Sequence, residues 1–253
     1  MNISIIGSGG VATHLASALY NVGHNITSVY SRSIDNAKLL SAKVNAKAVC
    51  NINHLPNSEV YIIAVSDDSI ESVVKQLPNT NAIVVHTSGS VSVDVFNNRI
   101  KNYGSFYPLQ TFSKEKQVDF LTIPIFIEAS NAKTEQTLIQ LAQSVSKVVK
   151  VTDSFKRAQL HLAAVFACNF TNHLYSIADD ILKKSDLDIS VLKPLIEECV
   201  NKLNTLSPQQ AQTGPAARKD LKIIDKQLDF LSNDKELQQI YKIFTERIIR
   251  SNK

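Results

Sequence analysis

The sequence predicts an α/β fold in two parts: strands alternating with helices up to about residue 152, then helices alone over 153–253. Three observations carry this expectation. An apolar β-type run over residues 3–6 passes directly into Gly7-Ser8-Gly9-Gly10-Val11-Ala12. Short apolar runs bounded by turn residues then recur, the clearest being Val60-Tyr61-Ile62-Ile63-Ala64-Val65, of the kind found in parallel strands covered on both faces. From Asp153 onward the strand signal stops, and a stretch of about thirty residues without Gly or Pro follows.

The first strand, residues 2–6, feeds a G-x-G-x-x-A turn that opens a helix, which is the arrangement of a Rossmann dinucleotide-binding domain. Gly7 takes the tight turn. Gly9 lets the backbone approach a pyrophosphate without a Cβ in the way, and the small Ala12 lets helix and strand pack closely. The phosphates are expected at the helix N-terminus, against the free N–H groups of Ser8, Gly10 and Val11 and the positive end of the macrodipole.

The second strand, residues 26–30, decides which nucleotide. About twenty residues past the glycines an NAD site carries an acid for the adenosine ribose. Here the strand ends in Ser31-Arg32-Ser33. A guanidinium holds a 2′-phosphate bidentately, where a carboxylate would repel it, so NADP(H) is the expected cofactor. The alternative is a solvated Arg32 and a Ser33 that only caps the next helix. Methyl transfer from S-adenosylmethionine uses a similar turn, but wants an acid where Arg32 stands.

A helix over 34–43 and a short β piece at Ala48 and Val49 follow. The strand over 60–65 ends at Ser66-Asp67-Asp68-Ser69, which caps a helix running to Gln76. A strand over 82–85 is stopped by His86-Thr87-Ser88-Gly89-Ser90. Strands over 103–107, 123–128 and 148–151, the last after a helix over 132–146, complete a doubly wound parallel sheet with antiparallel additions near its end. In the second part a long uninterrupted helix from Asp153 or Ser154 to about Lys184 precedes helices over 189–206, 215–231 and 235–249. Its apolar stripe, including Phe166, Phe170 and Leu174, exceeds what one small helical domain covers, so a homodimer is expected.

Composition limits the function. The chain has 253 residues, a net charge of +4, 20% charged and 44% hydrophobic residues, and no Trp. Its lysines are scattered without an aromatic-interleaved basic stripe, which argues against nucleic acid. The longest apolar stretches, 60–65 and 162–168, are far below a bilayer span, and no leader pattern opens the sequence, so a cytoplasmic protein without a membrane partner is expected. Cys50, Cys168 and Cys199 are odd in number and lack metal-ligand spacing; they are expected to be reduced, buried or half-buried thiols, with no metal.

Ligands in parallel sheets lie outside the strand carboxyl ends. Ala64, Val65 and Ser66 are placed to wall the nicotinamide ribose, and Thr87 and Ser88 to offer hydroxyls near the hydride. Ser66 could equally be a loop cap and His86 a core histidine. On the long helix His161, Val165, Asn169 and Asn172 recur at i, i+4, i+8 and i+11, which sets His161, Asn169 and Asn172 on one stripe. His161 has the chemistry of a general acid and Asn169 of a group that orients a carbonyl or amide; a satisfied interhelical network is the structural alternative. Gln110, Asn172, Thr213 and Gly214 are the substrate-side candidates, the last two at a helix entrance whose free N–H groups suit an anion.

Four segments carry a family resemblance: His86-Thr87-Ser88-Gly89-Ser90, Phe106-Tyr107-Pro108-Leu109-Gln110-Thr111-Phe112, His161-Leu162-Ala163-Ala164-Val165-Phe166-Ala167-Cys168-Asn169-Phe170 and Gln212-Thr213-Gly214-Pro215. With them the chain resembles the 6-phosphogluconate-dehydrogenase-like superfamily, which includes pyrroline-5-carboxylate reductase and the deazaflavin-dependent NADP reductases. Within it the chain is most similar to a bacterial family of uncharacterised Rossmann-like oxidoreductases with a helical C-terminal domain of unknown function. The resemblance implies an NADP(H)-dependent oxidoreductase, acting on a small imine or carbonyl in an interdomain cleft. One position departs from the superfamily: its β-hydroxyacid dehydrogenases place a catalytic Lys one turn before the Asn, and here that residue is Val165. A non-catalytic NADP-binding sensor or partner-binding module is therefore the alternative.

Overall fold

The computed structural model describes residues 1–251, which form two compact units, one over Met1–Asn172 and one beginning at His173. The first is built on an eight-stranded sheet in the order β3-β2-β1-β4-β5-β6-β7-β8. Its strands are β1 (Asn2–Ile6), β2 (Asn25–Tyr30), β3 (Lys47–Val49), β4 (Val60–Ile63), β5 (Ile83–His86), β6 (Asn102–Pro108), β7 (Ile125–Ala129) and β8 (Val149–Val151). All neighbours pair in parallel except β6 and β7, where the antiparallel addition falls. The strand order reverses between β1 and β4, which opens a crevice at their carboxyl ends.

The apolar runs become central strands because both faces of the sheet are covered. β4 is buried at every position and β1 at all but its first. One layer packs Ile3, Ile5, Leu15, Leu19 and Phe106 together, and the other packs Ile6, Ile63, Ile70, Val74 and Phe96. The covering helices are α1 (Gly10–Asn21), α2 (Ile34–Lys43), α3 (Asp67–Gln76) and α4 (Ala132–Gln143). α2 begins at Ser33, whose hydroxyl accepts the Asn36 N–H at 3.4 Å.

The long helix departs from expectation in one respect. α5 (Ser154–Ala164) is capped by Asp153, whose carboxylate accepts the Lys156 N–H at 2.7 Å. A π-helical segment then runs over Val165–Phe170 before α6 (Thr171–Lys183), so the helix is continuous but its pitch is not regular. The Thr171 hydroxyl donates to the Phe166 carbonyl five residues back, at 3.1 Å. Wider turns of this kind shift the register of everything that follows, and the i, i+4, i+8 stripe is redrawn accordingly.

In the second unit the helix expected over 189–206 is a 3₁₀ turn followed by α7 (Lys193–Lys202). The one expected over 215–231 breaks at Lys219, which takes φ 56°, into α8 (Pro215–Arg218) and α9 (Leu221–Phe230). The break is local chemistry: Asp220 accepts the Ile223 N–H at 3.3 Å and starts a new helix. α10 (Lys235–Ser251) closes the described residues. The cysteines correct a further expectation. Cys50, Cys168 and Cys199 are free but exposed: Cys50 follows β3, and the other two lie on helical segments without a single buried residue. Among the described residues no helix is long and apolar enough to cross a membrane.

Candidate functional site

A cleft of about 520 Å³ opens at the β1/β4 crevice. Of the residues expected at a dinucleotide, Gly7, Ser8, Gly9, Gly10, Val11, Ser31, Arg32, Ala64, Val65, Ser66 and Thr87 line it together. Ala12 and Ser33 do not. Ala12 is fully buried, where its small side chain serves helix packing, and Ser33 caps α2.

The three glycines do different work. Gly7 has φ +132°, and a Cβ there would lie 2.0 Å from the Ala64 carbonyl oxygen, so no side chain fits. Gly10 carries the chain beneath the 109–119 loop, with a Cβ meeting the Phe112 carbonyl at 2.5 Å. A Cβ on Gly9 would touch nothing within 4 Å and would project into open space. That is the cradle a diphosphate fits: an open surface of backbone at the start of a twelve-residue helix, with Gly9 as its N-cap and no side chain capping it. At the far side Ser8 donates to the Ser31 hydroxyl at 2.9 Å, joining the glycine turn to the end of β2 where Arg32 stands exposed.

Sequence reasoning missed the fourth wall of this cleft. Asp68, Ser69, Ser72, Val73 and Gln76 of α3 line it, as does Tyr30. The helix was legible, but which of its faces meets the cleft depends on how it packs on the sheet.

A second cavity of about 510 Å³ in the same unit is lined by Tyr107, Leu109, Gln110, Thr111, Leu160, His161, Ala164, Cys168 and Asn169, among others. His161, Asn169 and Gln110 are thus brought together as expected, while Asn172 is not among the lining residues. His161 is held firmly. The Tyr107 hydroxyl lies 3.1 Å from its Nδ1, and the ring packs so closely on Gly89 that a Cβ there would sit 2.7 Å from Cγ and Nδ1. With Nδ1 engaged by Tyr107, Nε2 is the ring nitrogen left for chemistry. Burial raises the Tyr107 phenol above its ordinary value, so it stays protonated across the physiological range.

The turn after β5 is built by its own side chains. Ser88 accepts the N–H groups of Ser90 and Val91 at 3.1 and 3.0 Å, leaving its O–H to donate. Ser90 in turn donates to Asp67 at the start of α3. His86 is fully buried, stacks on Phe96 and accepts the Ser88 N–H on Nδ1. Burial, with the Arg157 guanidinium adding to it, lowers its pKa to about 3, so it is a neutral core histidine and no acid.

Arg157 explains the placement of His161. Its side chain is fully buried on α5, where it pairs with Glu128 of β7 and donates to the Val91 carbonyl at 2.6 Å. Ser154 lies 3.2 Å from the guanidinium and donates to Glu128 at 2.8 Å. The start of α5 is thereby tied to the sheet and to the turn after β5, one helical turn before His161. Nothing in the sequence marked this pair, because an Arg on an amphipathic helix reads as solvated. Thr213 and Gly214 lie in the second unit, lining a separate cavity of about 410 Å³ with Leu174, Ile177 and Phe244.

Residues 1–110 match the Rossmann-like domain and residues 123–248 the domain of unknown function DUF2520. The chain is 40% identical to a protein of Bacteroides fragilis described as a putative NADP oxidoreductase, over 98% of each chain and with a TM-score of 0.92. The chain belongs to that protein's family. The fold extends to members of lower identity and recurs in enzymes further off. A reductive aminase from Aspergillus terreus, solved with NADPH, shares it at 16% identity, TM-score 0.76, over 98% of this chain and 93% of that one. A pyrroline-5-carboxylate reductase from Coxiella burnetii shares it at 17% identity, TM-score 0.60, over 100% and 98%. No curated protein matches the chain.

Proposed function

We propose that this DUF2520-family protein is an NADP(H)-dependent oxidoreductase that acts on a small imine or carbonyl compound. The observation that carries the reading is the single cleft in which the open Gly9 cradle, Ser31 and Arg32, and the β4 and β5 ends at Val65 and Thr87 stand in line. The name of the B. fragilis relative and the NADPH bound by the fold's reductive aminase agree with it. When bound, the cofactor supplies a hydride to the substrate carbon. Arg32 holds the 2′-phosphate, and Val65 and Thr87 bound the nicotinamide end. His161 sits one residue beyond that end, against Gly89, and its Nε2 delivers the proton to the nitrogen or oxygen that gains charge as hydride arrives. Tyr107 keeps the ring turned so that Nε2 faces the cavity. Asn169 and Gln110 orient the polar end of the substrate; Ser88 supports the turn and offers its O–H.

The test is turnover of a cyclic imine such as 1-pyrroline with NADPH. His161→Ala is expected to lower kcat by roughly 10²–10⁴-fold with NADPH affinity unchanged. A wild-type protein that binds NADPH but turns over neither imines nor carbonyls supports the second reading, a non-catalytic NADP-binding module, which Val165 in the place of a catalytic Lys favours.

A further inference from the structure

We propose that Gln76 reads the 6-amino edge of the adenine ring, making the chain selective for adenine over hypoxanthine dinucleotides. The inference rests on the NADP(H) reading above. With the diphosphate on the Gly9 cradle and the ribose at Ser31 and Arg32, the base attached to that ribose enters the part of the cleft bounded by α3. The α3 residues lining it include Ser72, Val73 and Gln76. Val73 is nearly buried and offers the base an apolar surface.

Gln76 is oriented by a bond that works in one direction only. Its Nε2 donates to the Ser72 carbonyl oxygen at 3.1 Å and also to the Ser72 hydroxyl at 3.1 Å. A carbonyl oxygen accepts and never donates, so the amide nitrogen must be the atom facing Ser72. Oε1 is therefore turned away and left to accept. The helix that carries it is held in place: the Arg99 guanidinium donates to the Val74 and Leu77 carbonyls at 2.7 and 2.6 Å, clamping the last turn of α3.

An outward acceptor distinguishes the two purines. Adenine presents a 6-amino donor that matches Oε1, whereas hypoxanthine presents a 6-oxo group, which would set acceptor against acceptor. Turning the amide over to offer its N–H groups would give up both bonds to Ser72. Sites built to hydrogen-bond a donor reject an analogue lacking it more strongly than apolar sites reject a change of size.

The experiment is calorimetric titration of the full chain with NADPH and with its hypoxanthine analogue. Wild type is expected to bind NADPH about tenfold more tightly, the worth of roughly one hydrogen bond. Gln76→Leu, a change at an exposed position, is expected to bind both equally, with NADPH weakened to the level of the analogue and circular dichroism unchanged. Equal affinities in wild type, or discrimination retained in Gln76→Leu, overturns the role of Gln76 while leaving the cofactor assignment standing. Failure of both dinucleotides to bind wild type overturns the cofactor assignment, and the inference with it.

Discussion

Arg32 is where the choice between the two nicotinamide cofactors rests. Its guanidinium is exposed at the rim of the cleft beside Ser31, so a phosphate there would be held by a charge-assisted bond in partial contact with water. Arg32→Ala is expected to weaken NADPH by about 1.5–3 kcal/mol and to leave NADH nearly unchanged, measured by calorimetry. Wild-type affinities that are equal for the two cofactors would remove this assignment. His86 makes a different demand. Its pKa is depressed to about 3 from 6.5, so between these values the unfolded chain binds a proton that the folded chain refuses. Stability is therefore complete above pH 6.5 and falls as pH drops toward 3, by about 4–5 kcal/mol in full. The charged neighbours that set this are Arg157 and Asp67. Urea titrations of wild type and His86→Gln from pH 7 to 4 should show a flatter profile in the variant; parallel profiles would contradict the linkage.

At the scale of the element, α5 is held by chemistry at its first turn rather than by an apolar stripe. Arg157 is its one buried residue, and its partners come from β7, from the turn after β5 and from Ser154. Arg157→Ala leaves Glu128 half-covered without its counter-charge and strips the Val91 carbonyl of a donor. A loss of about 3–5 kcal/mol is expected in denaturant unfolding, together with weaker turnover, since His161 hangs from the same turn. A loss below 1 kcal/mol would show that α5 is held elsewhere. The π-helical segment that follows sets the positions of Cys168 and Asn169 along the cavity. A regular helix would carry these side chains to another face, which is why spacing alone did not predict that Asn172 falls outside the cavity lining.

For the whole molecule the open question is association. Phe155, Leu162, Phe166 and Phe170 are 71%, 58%, 61% and 48% exposed, and Leu195, Val200 and Leu203 of the second unit are more than half exposed. A monomer rarely leaves so many large apolar side chains in water. We expect a homodimer, seen in light scattering as twice the chain mass of 27.9 kDa; a monomer at micromolar concentration would contradict it. The glycine turn, the parallel strands, Arg32 at the end of β2 and the cavity residue His161 were all legible in the sequence. Each is encoded locally, by period, by turn chemistry or by motif spacing. The buried Arg157–Glu128 pair, the α3 wall with Gln76, the Tyr107 contact on His161 and the exposure of the cysteines were not. They join residues 4 to 66 positions apart, or depend on which face a helix presents, and only tertiary packing decides those.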